Sequence, residues 1–492
     1  MNFFKRNIFK SISTGYLVFL ATNIIALILT PYILKYVTKE EFGLYILCVD
    51  LFTWIGFLQF GTAKVLGPLV AIERAKKNEK RIVTLFNSSF IFQLLMAILI
   101  IPLFYFIADY SASKDNTLQV NKSLLFILFA TASGIQVLKQ QLSEMLIAAK
   151  QMHVDNMLNL VFTILRFLLI LLLIPHFGIV TIFGIYLFIA ILNFIRAYYR
   201  TKKVYPYLKI KFNLFDINEF KTLLSDGVYF SLGSLATILI LKFDNFFLSR
   251  ELGLEFVSKL YISIRLILIG QKVIEILFNN FRPYIASFHG ISSSKKINLF
   301  FNLSTKLNFV MAIVGVSFIL LINKGFIHWW VGEEFYLGDD IVILYAMFYL
   351  TYILSQPVRI IMVSTLTKIK NASIARFIEG ILRVIIIYTF FTYTGLKILP
   401  ISSFVLTAIF QYLYITYLVS KANNWHTKKE LIHSIAFLLL PIIVTLSTFV
   451  VDTKIILHTF AISTILISIA IIYSQKLHIT AFVNSIKNKR SE

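Results

Sequence analysis

Apolar runs of about twenty residues recur along the whole of this 492-residue chain, and that length matches the hydrocarbon core of a bilayer. Such runs leave few choices of fold. Inside lipid every backbone N–H and C=O must be satisfied within the protein, so each run reads as a helix. The runs fall near residues 12–34, 42–70, 83–108, 123–148, 157–175 and 178–196. A second set follows near 223–248, 259–281, 299–322, 341–366, 373–394 and 399–419, and a last pair near 431–451 and 455–473. The sum is about fourteen transmembrane helices. Hydrophobic residues make up 58% of the chain, against about 45–50% in soluble domains, and no long polar stretch remains for a separate globular domain. The expected class is an all-α integral membrane protein. Asn2 to Lys10 is basic, but the apolar run behind it is long and lacks a small-residue cleavage site, so it reads as a first membrane helix.

The net charge of +23 is dispersed between the runs and forms no basic stripe with interleaved aromatics, which argues against nucleic acid. Its placement speaks to topology instead. Lys5, Arg6 and Lys10, then Arg74 to Arg81, Arg196 to Lys211, Lys421 to Lys429 and the tail cations Lys487, Lys489 and Arg490 all fall on one side. The opposite loops carry chiefly Lys39, Lys114, Lys122, Lys324, Lys397 and Lys454, a ratio of about three to one. Cytoplasmic loops retain positive charge, so both termini are expected on the cytoplasmic side. The outer loops are short, the longest being 323–340 and 109–122. Trp329, Trp330, Phe335 and Tyr336 in the first of these suit an interfacial aromatic belt.

Catalytic signatures are missing from the sequence. No HExxH, CxxC, GxxxxGK[ST] or GxSxG pattern occurs, and the single cysteine, Cys48, allows neither an intramolecular disulfide nor a cysteine-rich metal site. No enzyme activity, cofactor or metal site is expected.

Thr30 to Leu47 reads TPYILKYVTKEEFGLYIL and residues 243–263 read FDNFFLSRELGLEFVSKLYIS. Each places a helix, a short acidic loop and an aromatic entry into the next helix, about 215 residues apart, the span of six helices. Two such halves with a path between them are a transporter design. Four places also resemble the Wzx-type O-antigen and capsule flippases, polysaccharide exporters of the multidrug/oligosaccharidyl-lipid/polysaccharide superfamily. These are Lys39-Glu40-Glu41-Phe42-Gly43-Leu44-Tyr45, Gln59-Phe60-Gly61, Asp244-Asn245-x-Phe247-Leu248 with Leu252-Gly253 and Tyr261, and Trp330-Val331-Gly332-Glu333-Glu334-Phe335. The resemblance implies a MATE-like fold of two pseudo-symmetric six-helix lobes, 1–212 and 213–421, with two accessory helices and a basic tail in 422–492. Relatives commonly carry an acidic residue where this chain has Gln59.

Ionisable groups inside a span cost at least about 2.5–3.5 kcal/mol near the midplane, so they point to a path. Arg166 stands about nine residues into the fifth run, too deep to snorkel. Arg265, Lys272 and Glu275 are spaced by seven and three residues, which puts them on one helical face. Arg376, Glu379 and Arg383 repeat the pattern at three and four, where Glu379 reads as a structural ion pair. Lys64 and Asp50, Lys242 and Asp244, and Arg359 beside Gln356 and Pro357 complete the set. The polar stretch Gln136 to Glu144 reads as a solvated helix end.

The set leans cationic, and arginine's planar fork suits phosphate. With the resemblance, the expected function is a flippase moving undecaprenyl-pyrophosphate-linked oligosaccharide repeat units to the outer leaflet by alternating access. Arg166, Arg265, Lys272, Lys64, Lys242, Arg359, Arg376 and Arg383 would line a cationic cavity, and Asp50, Asp244 and Glu275 would couple H+ or Na+. A polysaccharide polymerase and chain-length regulator are the expected protein partners. The alternatives are an ion-coupled multidrug antiporter of the same superfamily, against which the extra helix pair and the cationic bias count, and a membrane polymerase or ligase, which should have a large external loop.

Overall fold

The computed structural model describes residues 2–112, 121–149, 151–279, 285, 294–365 and 369–468. The loop cation Lys114 and the tail cations Lys487, Lys489 and Arg490 lie outside them. The described chain is helical throughout, as the apolar runs require. It divides into two compact units, Met1–Lys259 and Leu260–Glu492. That grouping follows packing, whereas the 212/213 boundary follows the order of repeats along the chain.

The first unit holds α1 (Asn2–Ile33), α2 (Lys39–Leu58), α3 (Thr62–Ala75), α4 (Glu79–Ser111), α5 (Lys122–Ala148), α6 (Met152–Phe177) and α7 (Ile179–Val204). It continues through α8 (Ile217–Leu241), α9 (Phe243–Glu251) and the start of α10 (Leu254–Ser263). Helix α5 packs between α4 and α7, α1 lies along α6, and α8 and α9 lie against α2. Thr38 caps α2 and Glu41 reaches back to the Thr38 N–H, a reciprocal box that satisfies two orphan donors. The acidic turn read as a loop motif is thus the start of a helix. The two repeat-related turns also meet: Ser258 donates to the Lys39 carbonyl, Lys39 lies 3.9 Å from Glu255, and a Cβ on Gly43 would overlap the Leu254 carbonyl.

The second unit holds α11 (Arg265–Asn279), α12 (Ser294–Trp330), α13 (Asp339–Leu354), α14 (Gln356–Thr365) and α15 (Ile369–Thr394). It is completed by α16 (Ile398–Thr407), a π-helical segment Ala408–Tyr414, α17 (Ile415–Ala422), α18 (Thr427–Ser447) and α19 (Thr453–Ser468). Every residue of α13 from Ile341 to Leu354 is buried, which explains an apolar character that runs all the way round it.

Among the described residues, nine helices are long and apolar enough to cross a membrane, ten when the pair 217–225 and 227–241, bent by 44°, is one span. Breaks, one merged pair and the shorter described helix α19 (Thr453–Ser468) account for the difference from about fourteen runs. The run 42–70 is split between α2 and α3, and 259–281 between α10 and α11. Lys370–Ala422 passes as one 53-residue stretch although the chain turns at Gly395, with φ +59°, so that α15 packs on α16.

The α2–α3 break shows how a helix is interrupted inside a bilayer. Phe60 and Gly61 take positive φ, 48° and 64°, and freed backbone groups need new partners. Gln93 of α4 supplies them, donating to the Gln59 carbonyl (3.1 Å) and to Thr62 Oγ1 (2.7 Å), while Thr62 itself donates to Gln59 (3.0 Å). A Cβ on Gly61 would sit 2.3 Å from the Gly227 oxygen, and one on Gly227 2.2 Å from the Phe60 oxygen, so α3 and α8 cross at backbone contact.

Two sequence expectations change here. Only Trp329 of the aromatic loop is strongly exposed; Trp330 and Phe335 are buried, and Tyr336 donates to Asp339 (2.6 Å). That loop is therefore packed by its rings, with Trp329 left to meet the interface. The stretch Gln136 to Glu144 is no solvated end either. Gln141 is fully buried and accepts from Ser89 (2.7 Å), because α5 is enclosed by its neighbours.

Candidate substrate path

In the first unit Asp50 is buried on α2, where Lys242, at the end of α8, pairs with it at 2.7 Å and Asn245 of α9 donates to its second oxygen. One turn beyond Asp50, Trp54 packs on Phe243 and Phe246 with ring centroids 6.5 and 5.1 Å away. A cavity of about 150 Å³ opens beside Trp54, lined by Leu51, Phe57, Ile100, Leu103, Phe104 and Leu235. Its walls suit hydrocarbon. Two of the sequence candidates, Asp50 and Lys242, are thus brought together as a charge pair, and Asp244 is buried in the first turn of α9.

Lys64 of α3 donates to Ser234 of α8 at 3.1 Å and lies within electrostatic reach of Glu144 on α5. Arg166 of α6 lies over the Tyr186 ring at 5.2 Å, in an aromatic cluster where Tyr186 meets Tyr45 at 6.1 Å and Phe129 at 5.2 Å. Aromatic faces offer a cation partial compensation without a counter-charge.

A further cluster was not singled out by sequence. Asp155, buried in the first turn of α6, pairs with Arg196 of α7 at 2.6 Å and lies 3.7 Å from Lys139 of α5. Three helices contribute one charge each, so no local spacing announces it: Asp155 stands just before the 157–175 run and Arg196 ends the 178–196 run, where sequence alone reads a charge as a helix end.

At the basic α3–α4 turn, Arg81 holds Glu219 at 2.8 and 3.3 Å and Glu73 at 3.2 Å. Lys76 donates to Glu73 at 3.1 Å, and that contact, ahead of those with Asn78 and Arg81, holds the Glu73 carboxyl below the usual carboxylate range. Just past α7, burial pushes the Tyr205 hydroxyl up to about 12 while it donates to the Met145 carbonyl at 3.0 Å.

In the second unit the expected face of α11 resolves into two places. Arg265 begins the helix and lies over the Tyr261 ring at 5.2 Å; Lys272 is half exposed and pairs with Glu275 at 3.0 Å, which also accepts from Gln271. Deeper lies a buried network. Arg359 of α14 packs on the Tyr352 ring at 3.9 Å and donates to Gln411 at 3.1 Å. Gln411, in the π-helical segment, donates to Glu379 at 2.9 Å, and Thr407 donates to the same oxygen at 2.8 Å. Arg376 acts electrostatically on both Arg359 and Glu379. Arg383, fully buried, donates to Ser403 and to the Leu399 carbonyl. Two guanidiniums, Arg359 and Arg376, thus act on Glu379, with Gln411 joining Arg359 to that carboxylate by hydrogen bonds, while Arg383 is held one turn on by Ser403 and Leu399. The wider π turn sets Gln411's register, which a run of apolar residues does not reveal.

Residues 8–289, more than half of the chain, match the polysaccharide biosynthesis protein family. No curated protein matches it by sequence. Among solved structures it is similar to an inward-facing multidrug resistance MATE family transporter of the MOP superfamily (TM-score 0.67, 16% identity, 83% of this chain and 95% of that one). It is also similar to the lipid II flippase MurJ in an inward closed conformation (TM-score 0.66, 15% identity, 95% of this chain and 98% of that one). A MOP superfamily transporter from Pyrococcus furiosus follows at TM-score 0.56 and 14% identity, over 90% of this chain and 95% of that one. At these identities the likeness is one of fold. The chain belongs to the polysaccharide biosynthesis protein family and is built on the fold that MATE transporters and MurJ share.

Proposed function

We propose that the protein flips undecaprenyl-pyrophosphate-linked oligosaccharide repeat units from the cytoplasmic to the outer leaflet, for assembly of O-antigen, capsule or a related surface polysaccharide. The observation that carries the reading is the pair Arg359 and Arg376 acting on the buried Glu379, with Arg383 fully buried on the same helix as Arg376 and Glu379, in a chain of the polysaccharide biosynthesis family. Burying such charges is costly unless they serve a ligand or a specific geometry. A pyrophosphate offers oxygens for paired guanidinium hydrogen bonds, which strengthen away from water. Arg166, Arg265, Lys272, Lys64 and Lys242 are the further cations of the path. The sugar would travel in an aqueous chamber while the polyprenyl chain stays in lipid, and alternating access would carry the headgroup across. Among the carboxylates assigned to coupling, Asp50 and Glu275 stand in charge pairs with Lys242 and Lys272, so a coupling ion at either would compete with a lysine that the cargo could then engage. Asp244 is the third such group, and H+ or Na+ the coupling ion. Both termini are assigned to the cytoplasmic side.

The test is export in cells lacking the protein and complemented with variants. Arg359→Ala and Arg166→Ala should block export and leave lipid-linked repeat units inside, with lysine replacements intermediate because charge persists without the fork. Normal export by both alanine variants at normal protein level would sink the cationic reading. The likeness to the MATE transporter favours one rival, a multidrug antiporter. Restored drug resistance without polysaccharide export would decide for it.

A further inference from the structure

Glu430, one turn into α18, is 5% exposed and lines a cavity of about 80 Å³ between α18 and α12. Among the described residues its carboxylate has no hydrogen-bond or ion-pair partner. Thr305 Oγ1, also on the cavity wall and buried, has none either. The cavity is braced on both sides, by Phe309 stacked on Phe437 with centroids 4.4 Å apart and by Phe301 on Trp425 at 5.0 Å. It is therefore a built space with two unmet polar groups.

Basic side chains stand around it. Lys306 on α12 and His433 on α18 line the cavity, and they, His426 and Lys429 act electrostatically on Glu430 without closing to an ion pair. A buried carboxylate with bases held at a distance fits a ligand that brings its own cation inward and its own anion outward. A bare metal ion supplies only the first half, and an anionic headgroup would set its phosphate against Glu430.

We infer that this cavity binds the headgroup of a phospholipid carrying a primary amine. The ammonium donates to Glu430 and Thr305, and the phosphodiester faces Lys306 and His433. The space corresponds to about two to three waters, the size of an ethylammonium group. Its place one turn into α18, beside Lys428 and Lys429, is the depth at which headgroups lie, and the basic flank assigns it to the cytoplasmic leaflet. The site is separate from the cargo path proposed above, so failure of one leaves the other standing.

The experiment uses the full chain in nanodiscs of a neutral synthetic lipid doped with phosphatidylethanolamine, phosphatidylcholine or phosphatidylglycerol. Retained lipid is read by native mass spectrometry and melting temperature by fluorescence. Phosphatidylethanolamine should be retained about tenfold over phosphatidylcholine, whose quaternary amine has no N–H to give a carboxylate. Glu430→Gln should bring the two within about twofold, and Lys306→Gln should weaken both. Equal retention of the two, preference for phosphatidylglycerol, or stabilisation by sodium alone would each overturn the assignment. Should Glu430→Gln fail to fold, the wild-type ranking still decides.

Discussion

Asp50 and Lys242 show what a single intramembrane pair implies. Asp50 is almost fully enclosed while the lysine side chain is 38% exposed, so the loss falls unevenly. Lys242→Ala strands a buried carboxylate and should cost about 3 kcal/mol, whereas Asp50→Ala leaves a lysine able to rotate toward polar surroundings and should cost about 1 kcal/mol. Melting of the singles and the double variant checks this; strictly additive losses would mean that the pair has no coupling. Glu73 makes a prediction in pH. Its folded carboxyl titrates below the usual range, chiefly through Lys76, so its contribution to stability is full above the ordinary carboxylate value and is lost as pH falls through the depressed one. The melting temperature should fall less steeply below about pH 4.5 in Glu73→Gln than in wild type. Parallel acid profiles would count against it. Which residues carried charge inside the spans was legible in sequence; what each one touched was not. Asp155 meets Arg196 and Lys139 only because three helices converge, and Arg359 reaches Glu379 only through Gln411.

At the scale of the element, the hydropathy of 42–70 suggested one long span, and the chain instead breaks at Gln59, Phe60 and Gly61. The QFG motif was visible as a motif, but its work is backbone geometry, which depends on Gln93 and Gly227 from other helices. Gly61→Ala meets two obstacles, a positive φ and a carbonyl 2.3 Å from the new Cβ. The conformational part alone is about 1–2 kcal/mol, so the variant should melt several degrees lower or express poorly. Gly227→Ala approaches the same contact from the other side and should behave alike. Wild-type stability in both would mean that the crossing is loose. The acidic turn at Lys39 was legible for the opposite reason: a capping box is local, and Thr38 and Glu41 stand three residues apart in the sequence itself.

For the whole molecule, the apolar runs and the resemblance were sufficient to anticipate an all-helical membrane protein of this fold, because the bilayer allows so little else. Orientation rests on a different physical quantity, the asymmetry of lysine and arginine between alternate loops, and it can be tested apart from the fold. Cys48, the single cysteine, is fully buried, so the wild-type protein provides a quiet background for labelling. Lys80 is exposed at the start of α4 on the basic side, and Trp329 is 81% exposed at the end of α12 on the poor side. With a membrane-impermeant maleimide on intact cells, Trp329→Cys should label and Lys80→Cys should label only after lysis, since inside-positive retention assigns the two loops to opposite faces. Labelling of Lys80→Cys alone in intact cells would invert the protein and send the cargo the wrong way for export. Labelling of both would break the alternation between α4 and α12, and with it the even spacing of spans on which two matching halves depend.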